Sequence, residues 1–279
     1  MASLESIRKQ LARSSFGAFI RRLGLHKGPN AVYEAMLRSK DAHTIRFAGA
    51  PVKFRVTNRR EASRLDNFWE MGEIEELARS MKPGDVFYDL GANIGHYAVC
   101  IGAFHKDQVE VHAFEPEPGN AARLRENAAL NGLSRVTVHE AAVSNENGTA
   151  RFFVSGTVGT PTHSLVESHF GDTDGRHAID VPLVRLPDYS AKHYLAKPTV
   201  IKIDVEGAEA EVVESIQDWM SDPALRRIEI EYHSDTLEAR GQSADAIERN
   251  ILSHGYTRLT AIEREGGTRP VLVAYERTA

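Results

Sequence analysis

Three features of the 279-residue chain predict a doubly wound α/β fold, that is, a mostly parallel seven-stranded sheet with an antiparallel C-terminal strand and an N-terminal helical extension. From Lys82 onward, apolar runs of strand length alternate with segments whose apolar residues recur at helical spacing. Such alternation implies parallel strands joined by right-handed helical crossovers. The last two apolar runs have no helix between them, so they pair as an antiparallel hairpin. The composition, 42% hydrophobic and 26% charged, belongs to a globular protein and excludes collagen-like, disordered and membrane-spanning classes.

In chain order, the first forty residues read as short helical pieces: Leu4, Ile7 and Leu11 form one stripe, Phe16, Phe19, Ile20 and Leu23 another. Val52–Val56 is expected as a short strand, and Phe68–Met81 as a helix burying Ile74, Leu77 and Met81. Asp85–Leu90 is the first strand of the alternating region. A glycine-rich turn leads to a helix around Tyr97–Phe104, and Val109–Phe114 is the second strand. The helix Gly119–Leu130 stops at Asn131-Gly132, a C-cap signal. Arg135–Val143 reads as a third strand, turning at Asn147-Gly148 into a hairpin that returns through Ala150–Val154. Ser155–Asp180, rich in Gly, Thr, Ser and His, reads as a mobile loop. Thr199–Ile203 is the fourth strand, and Ala208, Val212, Ile216 and Met220 stripe the next helix. Ile228–Tyr232, a helix at Ala244–Leu252, and strands at Tyr256–Ile262 and Pro270–Tyr275 complete the pattern. Residues 1–65 are expected to form a basic extension and residues 66–279 the α/β domain.

Charge and cysteine content narrow the class. Met1–Ala42 carries eight basic and three acidic residues, net +5, so a total of −5 leaves −10 on the remainder. A basic arm on an acidic body does not make a groove for nucleic acid. The arm reads either as a solvated helical extension packed on its own domain or as an interfacial helix in peripheral contact with an anionic membrane or glycolipid. No run reaches the roughly 18 apolar residues of a membrane span, and the first residues lack a secretory h-region. Cys100 is the sole cysteine, which points to a reducing, cytoplasmic setting and excludes a cysteine-based zinc site.

In a doubly wound sheet ligands sit beyond the carboxyl ends of the strands, so the chemistry is sought there. After the first strand comes Asp89-Leu90-Gly91-Ala92-Asn93-Ile94-Gly95, a tight turn that lets backbone approach a ligand. Its G-x-x-x-G spacing is not the dinucleotide fingerprint. Asp89 would repel a phosphate and welcome an ammonium, as in S-adenosylmethionine, which has an amino-acid head, a sulfonium and no phosphate. The second strand ends in Glu115-Pro116, about 20 residues past the glycines, where an acid accepts bonds from both ribose hydroxyls. The alternative role for Glu115 is to complement the dipole of the following helix. Glu140, Ala141, Ala142 and Val143 close the third strand; the small residues suit an adenine ring, and Glu140 suits an amino group.

The fourth and fifth strands carry ionisable residues where central parallel strands are normally apolar. Period-two alternation places Lys202 with Asp204, and Glu206 beyond them; it groups Glu229, Glu231 and His233 on the next strand. Buried charges must be paired or functional. The cluster is therefore either a structural ion-pair network or a proton-handling site facing the cofactor.

The runs KPGDVFYDLGANIGHYAV, AFEPEP, VIKIDVEGAEAEVVE and IEIEYH together resemble the FkbM-type family of SAM-dependent methyltransferases, over about Asp66–His233, and the C-terminal hairpin fits the wider class I methyltransferase fold. The resemblance maps Asp89, Gly91, Asn93 and Gly95 to the SAM loop, with Ala92 among them, and Glu115 to the ribose acid. It implies methylation of a hydroxyl, often on a sugar of a glycan or glycolipid, or on a polyketide. The long basic arm and the loop holding His163, His169 and His177 are less typical of that family.

Methyl transfer to oxygen needs the nucleophile in line with the methyl group and a base to take its proton. His233 or Asp204 is expected as that base, Glu206 and Glu231 as binders of neighbouring hydroxyls, and Lys202 as a charge-setting partner. A divalent ion on Asp204, Glu206, Glu231 and His233 is chemically possible, but Lys202 disfavours it. A nicotinamide dehydrogenase lacks its glycine spacing here, and a nucleic-acid base methyltransferase lacks its Asn/Asp-Pro-Pro-aromatic segment. A non-catalytic binding module of the same fold is the remaining alternative. Ser155–Asp180 and Asn67–Glu70 are expected to close over the substrate, with Trp69 stacking on a sugar face or serving as core.

Overall fold

The structure is a computed structural model that describes residues 42–56, 59–68, 70–154, 177–262 and 271–277. The N-terminal arm, Trp69, His163 and His169 lie outside the described residues, as do 155–176 of the expected loop. The chain divides into two compact units, one of residues 1–45 and 54–68, the other of residues 46–53 and 69–279. In the smaller unit, α1 (Arg59–Asp66) ends where Asp66 accepts a hydrogen bond from His43 at 2.7 Å. A strand not anticipated from sequence, β1 (His43–Phe47), pairs with β2 (Ala50–Phe54) around Ala48 and Gly49, both at positive φ, the geometry of a primed hairpin turn.

The larger unit follows the alternation. Its elements are α2 (Met71–Ser80), β3 (Val86–Leu90), α3 (His96–Phe104), β4 (Glu110–Phe114), α4 (Pro118–Leu130) and β5 (Val136–His139). After a separate three-stranded sheet come β9 (Val200–Ile203), α6 (Glu209–Ser215), α7 (Gln217–Met220), β10 (Arg227–Tyr232), α8 (Ser234–Ala239), α9 (Ala244–Ser253), β11 (Tyr256–Ile262) and β12 (Val271–Arg277). The seven-stranded sheet has the order β11-β12-β10-β9-β3-β4-β5. β12 inserts antiparallel between β10 and β11, while β10, β9, β3, β4 and β5 run parallel. The expected doubly wound sheet with an antiparallel C-terminal strand is therefore present. Connections leave β3 toward β5 on one side and return through β9 and β10 on the other. The switch point lies between β3 and β9, where such sheets open a crevice.

Local sequence explains the boundaries. Pro118 occupies the first turn of α4, where its missing N–H costs nothing, and Glu117 caps that turn through Gly119 and Asn120 N–H groups at 2.8 and 2.5 Å. α2 and the residue after it bury Ile74, Leu77 and Met81 as the spacing predicts. The core between the sheet and α6, α7 and α9 is built from Ile201, Ile203, Ile228 and Ile230 against Val212, Ile216, Met220, Ile247 and Ile251.

Three sequence expectations are corrected. The third strand does not run from Arg135 to Val143. Ala141 N–H donates to His139 C=O at 3.0 Å, a three-residue turn that ends β5 and sends Ala142–Ser144 (β6) into a second sheet with Gly148–Val154 (β7) and His177–Arg185 (β8), in the order β6-β8-β7. Nor does Asn147-Gly148 open a hairpin back onto that strand. β7 (Gly148–Val154) pairs antiparallel with β8 (His177–Arg185), and Asn147 uses its side chain to hold Arg185 N–H at 2.9 Å and Asp188 at 2.7 Å. His177–Asp180, expected as loop, belongs to β8, which leads into a helix not anticipated, α5 (Leu186–His193).

Candidate active site

The ends of the three central strands are tied together by backbone. Gly91 and Ala92 N–H both donate to Phe114 C=O at 3.0 Å, and Asp204 N–H donates to Leu90 C=O at 3.0 Å. Gly91 sits at φ +79°, and a Cβ there would lie 1.8 Å from the Asp204 carbonyl oxygen. Only glycine allows β9 to approach this closely. Asn93 turns the chain at φ +51° and donates its N–H to Glu115 Oε2 at 2.8 Å, and Gly95 caps α3.

Glu115 is buried beside buried Pro116, and its Oε1 takes Glu117 N–H at 2.9 Å. Burial pushes its pKa up to about 7, against the N–H bonds that favour the anion. Glu117 does the capping of α4, so Glu115 is spared that duty; its Oε1 also takes the Asn120 side-chain amide at 3.4 Å, and Oε2, which takes Asn93 N–H, keeps acceptor capacity. Asp89, fully buried, accepts Ala98 N–H on Oδ2 at 3.1 Å, while its buried Oδ1 has no partner among the described residues. Burial raises its pKa to about 6; Lys202 opposes the rise and Asp204 adds to it.

Register then places the second half. Asp89 lies opposite Lys202 across β3–β9, and Lys202 opposite Glu229 across β9–β10. Lys202 Nζ is 2.8 Å from Asp204 Oδ2 and 4.5 Å from the centre of the Tyr97 ring. Burial works against its charge, but Asp204, Asp89, Glu70 and Glu231 outweigh that and hold its pKa above the ordinary lysine value. Beyond the strand ends, His233 Nε2 is 3.1 Å from Glu206 Oε2 and 3.8 Å from Asp204 Oδ1. Its Nδ1 is 2.8 Å from Oε1 of Glu209. Desolvation opposes the imidazolium, yet Glu209, Glu206 and Asp204 together push the His233 pKa up to about 10. Glu206, at φ +55°, is raised to about 8 by burial first, with His233 pulling the other way and Asp204, Glu231 and Glu209 adding to the rise.

The structure thus brings Lys202, Asp204, Glu206 and His233 together, with buried Glu231 close enough to bear on Lys202 and Glu206. Glu229 is elsewhere engaged, bonded to Arg227 at 2.6 Å. Glu140 is exposed and pairs with Arg125, and Ala142 packs among Phe152, Val154, Val181 and Leu183 in the core of the second sheet. Both follow from the corner at Ala141. Sequence reasoning missed Glu209 and Tyr97. Glu209 lies two residues past Gly207 in a run read only for its resemblance, and Tyr97 has the local pattern of an ordinary core aromatic.

Asp204, Glu206 and His233 each present an oxygen or nitrogen within 4.8 Å of the others, a donor set of the kind a hard divalent ion takes. Lys202 already places a fixed positive charge on Asp204 at that spot.

With this geometry in place, the chain was compared with known proteins. Residues 89–258 match the model of the methyltransferase FkbM domain. The 31-O-demethyl-FK506 methyltransferase FkbM of Streptomyces tacrolimicus is 32% identical over 71% of this chain and 83% of its own length. The 2-O-methyltransferase NoeI of Sinorhizobium fredii is 32% identical over 47% of this chain and 57% of its own. The hexuronic acid methyltransferase AglP of Haloferax volcanii is 28% identical over 61% of this chain and 66% of its own.

Proposed function

This chain belongs to the FkbM methyltransferase family, and we propose that it transfers a methyl group from S-adenosylmethionine to a hydroxyl, with a sugar of a glycan or glycolipid as the acceptor. The observation that carries the reading is the convergence of Asp204, Glu206 and His233 at the strand ends next to the Gly91 turn. Residues 66–279 would form the transfer domain. The names of two relatives, a 2-O-methyltransferase and a hexuronic acid methyltransferase, support a hydroxyl on a sugar-like acceptor. That of a third, a 31-O-demethyl-FK506 methyltransferase, supports a non-glycan small molecule as the second acceptor class.

The residues present fit the donor. The buried Asp89 Oδ1, without a partner among the described residues, suits an ammonium or another donor group, the Gly91–Gly95 turn offers backbone with no side chain at its tightest point, and Glu115 offers Oε2 for a ribose hydroxyl. When bound, the donor supplies an electrophilic methyl carbon on a sulfonium. The chain's part is to bind and orient the acceptor and to handle its proton. A hydroxyl is a weak nucleophile, so its proton must leave as the new C–O bond forms. His233 Nε2 would receive that proton, and the imidazolium so formed would be stabilised by Glu209, Glu206 and Asp204. Lys202 would keep Asp204 ionised and in place, while Glu206 and Glu231 accept hydrogen bonds from neighbouring hydroxyls.

This assignment has a pH signature. A base works only when unprotonated, and the same carboxylates that stabilise the imidazolium hold His233 protonated at neutral pH. Turnover at saturating donor and acceptor is expected to rise about tenfold per pH unit from about pH 7 and to level off near pH 10. A profile already flat across that range would remove His233 as the base and leave Asp204.

The decisive experiment incubates the protein with isotope-labelled S-adenosylmethionine and a panel of glycans, lipid-linked sugars and macrocyclic alcohols, with and without a chelator. Mass spectrometry then locates the methyl group. Label on a sugar oxygen in both arms is the expected result. Label confined to the macrocycles would move the acceptor to the second class, loss of transfer on chelation would restore a metal role, and no transfer to any hydroxyl would overturn the reading.

A further inference from the structure

Glu209 opens α6 with its carboxyl group wholly removed from solvent. Oε1 accepts the Gly207 N–H at 2.9 Å and faces His233 Nδ1 at 2.8 Å, while Oε2 is buried with no partner among the described residues. A buried carboxylate needs compensation by donors or positive charge. Here one backbone N–H and one imidazole nitrogen supply what the surroundings provide to Oε1. Because a carboxylate only accepts, the ring nitrogen facing it must carry a proton. The other nitrogen, Nε2, is thereby left on the side of Glu206 and Asp204. Turning the ring over would remove the Nδ1 bond and aim carbon at Glu209.

The backbone confines this arrangement. Gly207 holds φ +102°, and a Cβ there would come within 2.3 Å of Thr236 Cγ2 on α8. Arg240, at the end of α8, also donates to Gly207 C=O. The turn between β9 and α6 is therefore clasped from the element that follows His233, and Glu209 is delivered to the ring from behind. The charged groups about the ring are Asp204 and Glu206 before that turn, Glu209 after it and Glu231 on β10, with Lys202 behind Asp204.

We propose that Glu209 is the positioning residue of the acceptor site: it fixes His233 with Nδ1 as the donor to its buried carboxylate and Nε2 as the nitrogen offered to the reacting hydroxyl. This rests on the proposed role of His233, and it adds a second carboxylate function to the cluster, orientation in place of acceptor binding. It follows the logic by which a buried acid orients an imidazole base in hydrolases, reached here on a different arrangement of strand ends.

The test uses the full chain with ¹⁵N-labelled histidine, His233 being assigned by its absence in the spectrum of His233→Ala. In the wild type, Nδ1 is expected to stay protonated throughout a pH titration while Nε2 gains and loses its proton. Glu209→Gln keeps the volume and an acceptor for Gly207 N–H but offers His233 a donor. It is expected to disturb the Nδ1 signal and to lower turnover at least tenfold, with the affinity for S-adenosylmethionine changed less than twofold. Unchanged turnover and an unchanged Nδ1 signal in a folded Glu209→Gln protein would overturn the proposal. Should that variant not fold, the wild-type spectrum decides, since a bare Nδ1 with a protonated Nε2 overturns it equally. If His233→Ala leaves turnover intact, the catalytic reading of His233 fails, whereas the Nδ1 signal still reports separately whether Glu209 orients the ring.

Discussion

His233→Ala is expected to lower methyl-transfer turnover by about 10²-fold or more while S-adenosylmethionine still binds. The expectation follows from where the ring lies. Its Nε2 is the one nitrogen directed at Glu206 and Asp204, and its other nitrogen is taken by Glu209. The groups proposed to hold the donor sit on the Gly91 turn and on Glu115, on different strands, so removing the imidazole leaves them in place. Asp204→Ala should produce a loss of similar size for a different reason: it frees Lys202 from its 2.8 Å partner and leaves that buried ammonium facing Asp89 and Tyr97 with less compensation. Both variants also bear on stability. Asp204→Ala should also lower the midpoint of thermal unfolding, because breaking a buried pair costs about 3–5 kcal/mol. His233→Ala should lower it as well, since it leaves the fully buried Glu209 carboxylate without its imidazole partner. Isothermal titration with the donor, initial rates and calorimetry measure all three quantities. Turnover within about threefold of wild type in both variants would remove the acid-and-imidazole mechanism.

Gly91→Ala should destabilise the fold and abolish donor binding together. The added Cβ would sit 1.8 Å from the Asp204 carbonyl oxygen, a backbone atom that cannot rotate aside. Relief requires β3 and β9 to separate at the point where Asp204 N–H bonds Leu90 C=O. Overpacking of this kind, added to the cost of an L residue at φ +79°, is worth about 3 kcal/mol or more. That corresponds to a fall of roughly 10 °C in the unfolding midpoint. Gly132→Ala is the control. Its φ is +68° but no described atom lies within 4 Å of the new Cβ, so it carries only the conformational part, about 1 kcal/mol. Equal midpoints for the two variants would show that the close approach of β9 to the turn contributes nothing.

How far the site could be read in advance depended on the range of the signal. The Gly91–Gly95 turn, Glu115 and the ionisable residues of β9 and β10 stand out because each violates a local rule: glycine where the chain must turn, acid or lysine where a central strand should be apolar. Glu140 and Ala142 are placed by counting along a strand that ends at His139. The Ala141 N–H to His139 C=O bond turns the chain there, and nothing in E-A-A-V announces it. β7 met the same difficulty. Its partner β8 lies across residues 155–176, and the Asn147-Gly148 pair imitates a hairpin turn while its asparagine side chain serves Arg185 and Asp188.

Periodicity and turn chemistry alone determined the alternating strands and helices, the antiparallel insertion at the C-terminus and the strand ends where chemistry collects, because those signals act between residues a few positions apart. Tertiary structure alone decided which carboxylate meets which nitrogen: Lys202 on Asp204, Arg227 on Glu229 and Glu209 behind His233. The reason is that a strand's two-residue period says which residues share a face, whereas pairing among several like carboxylates is settled by register and by turns such as Glu206-Gly207, held at positive φ from across the fold.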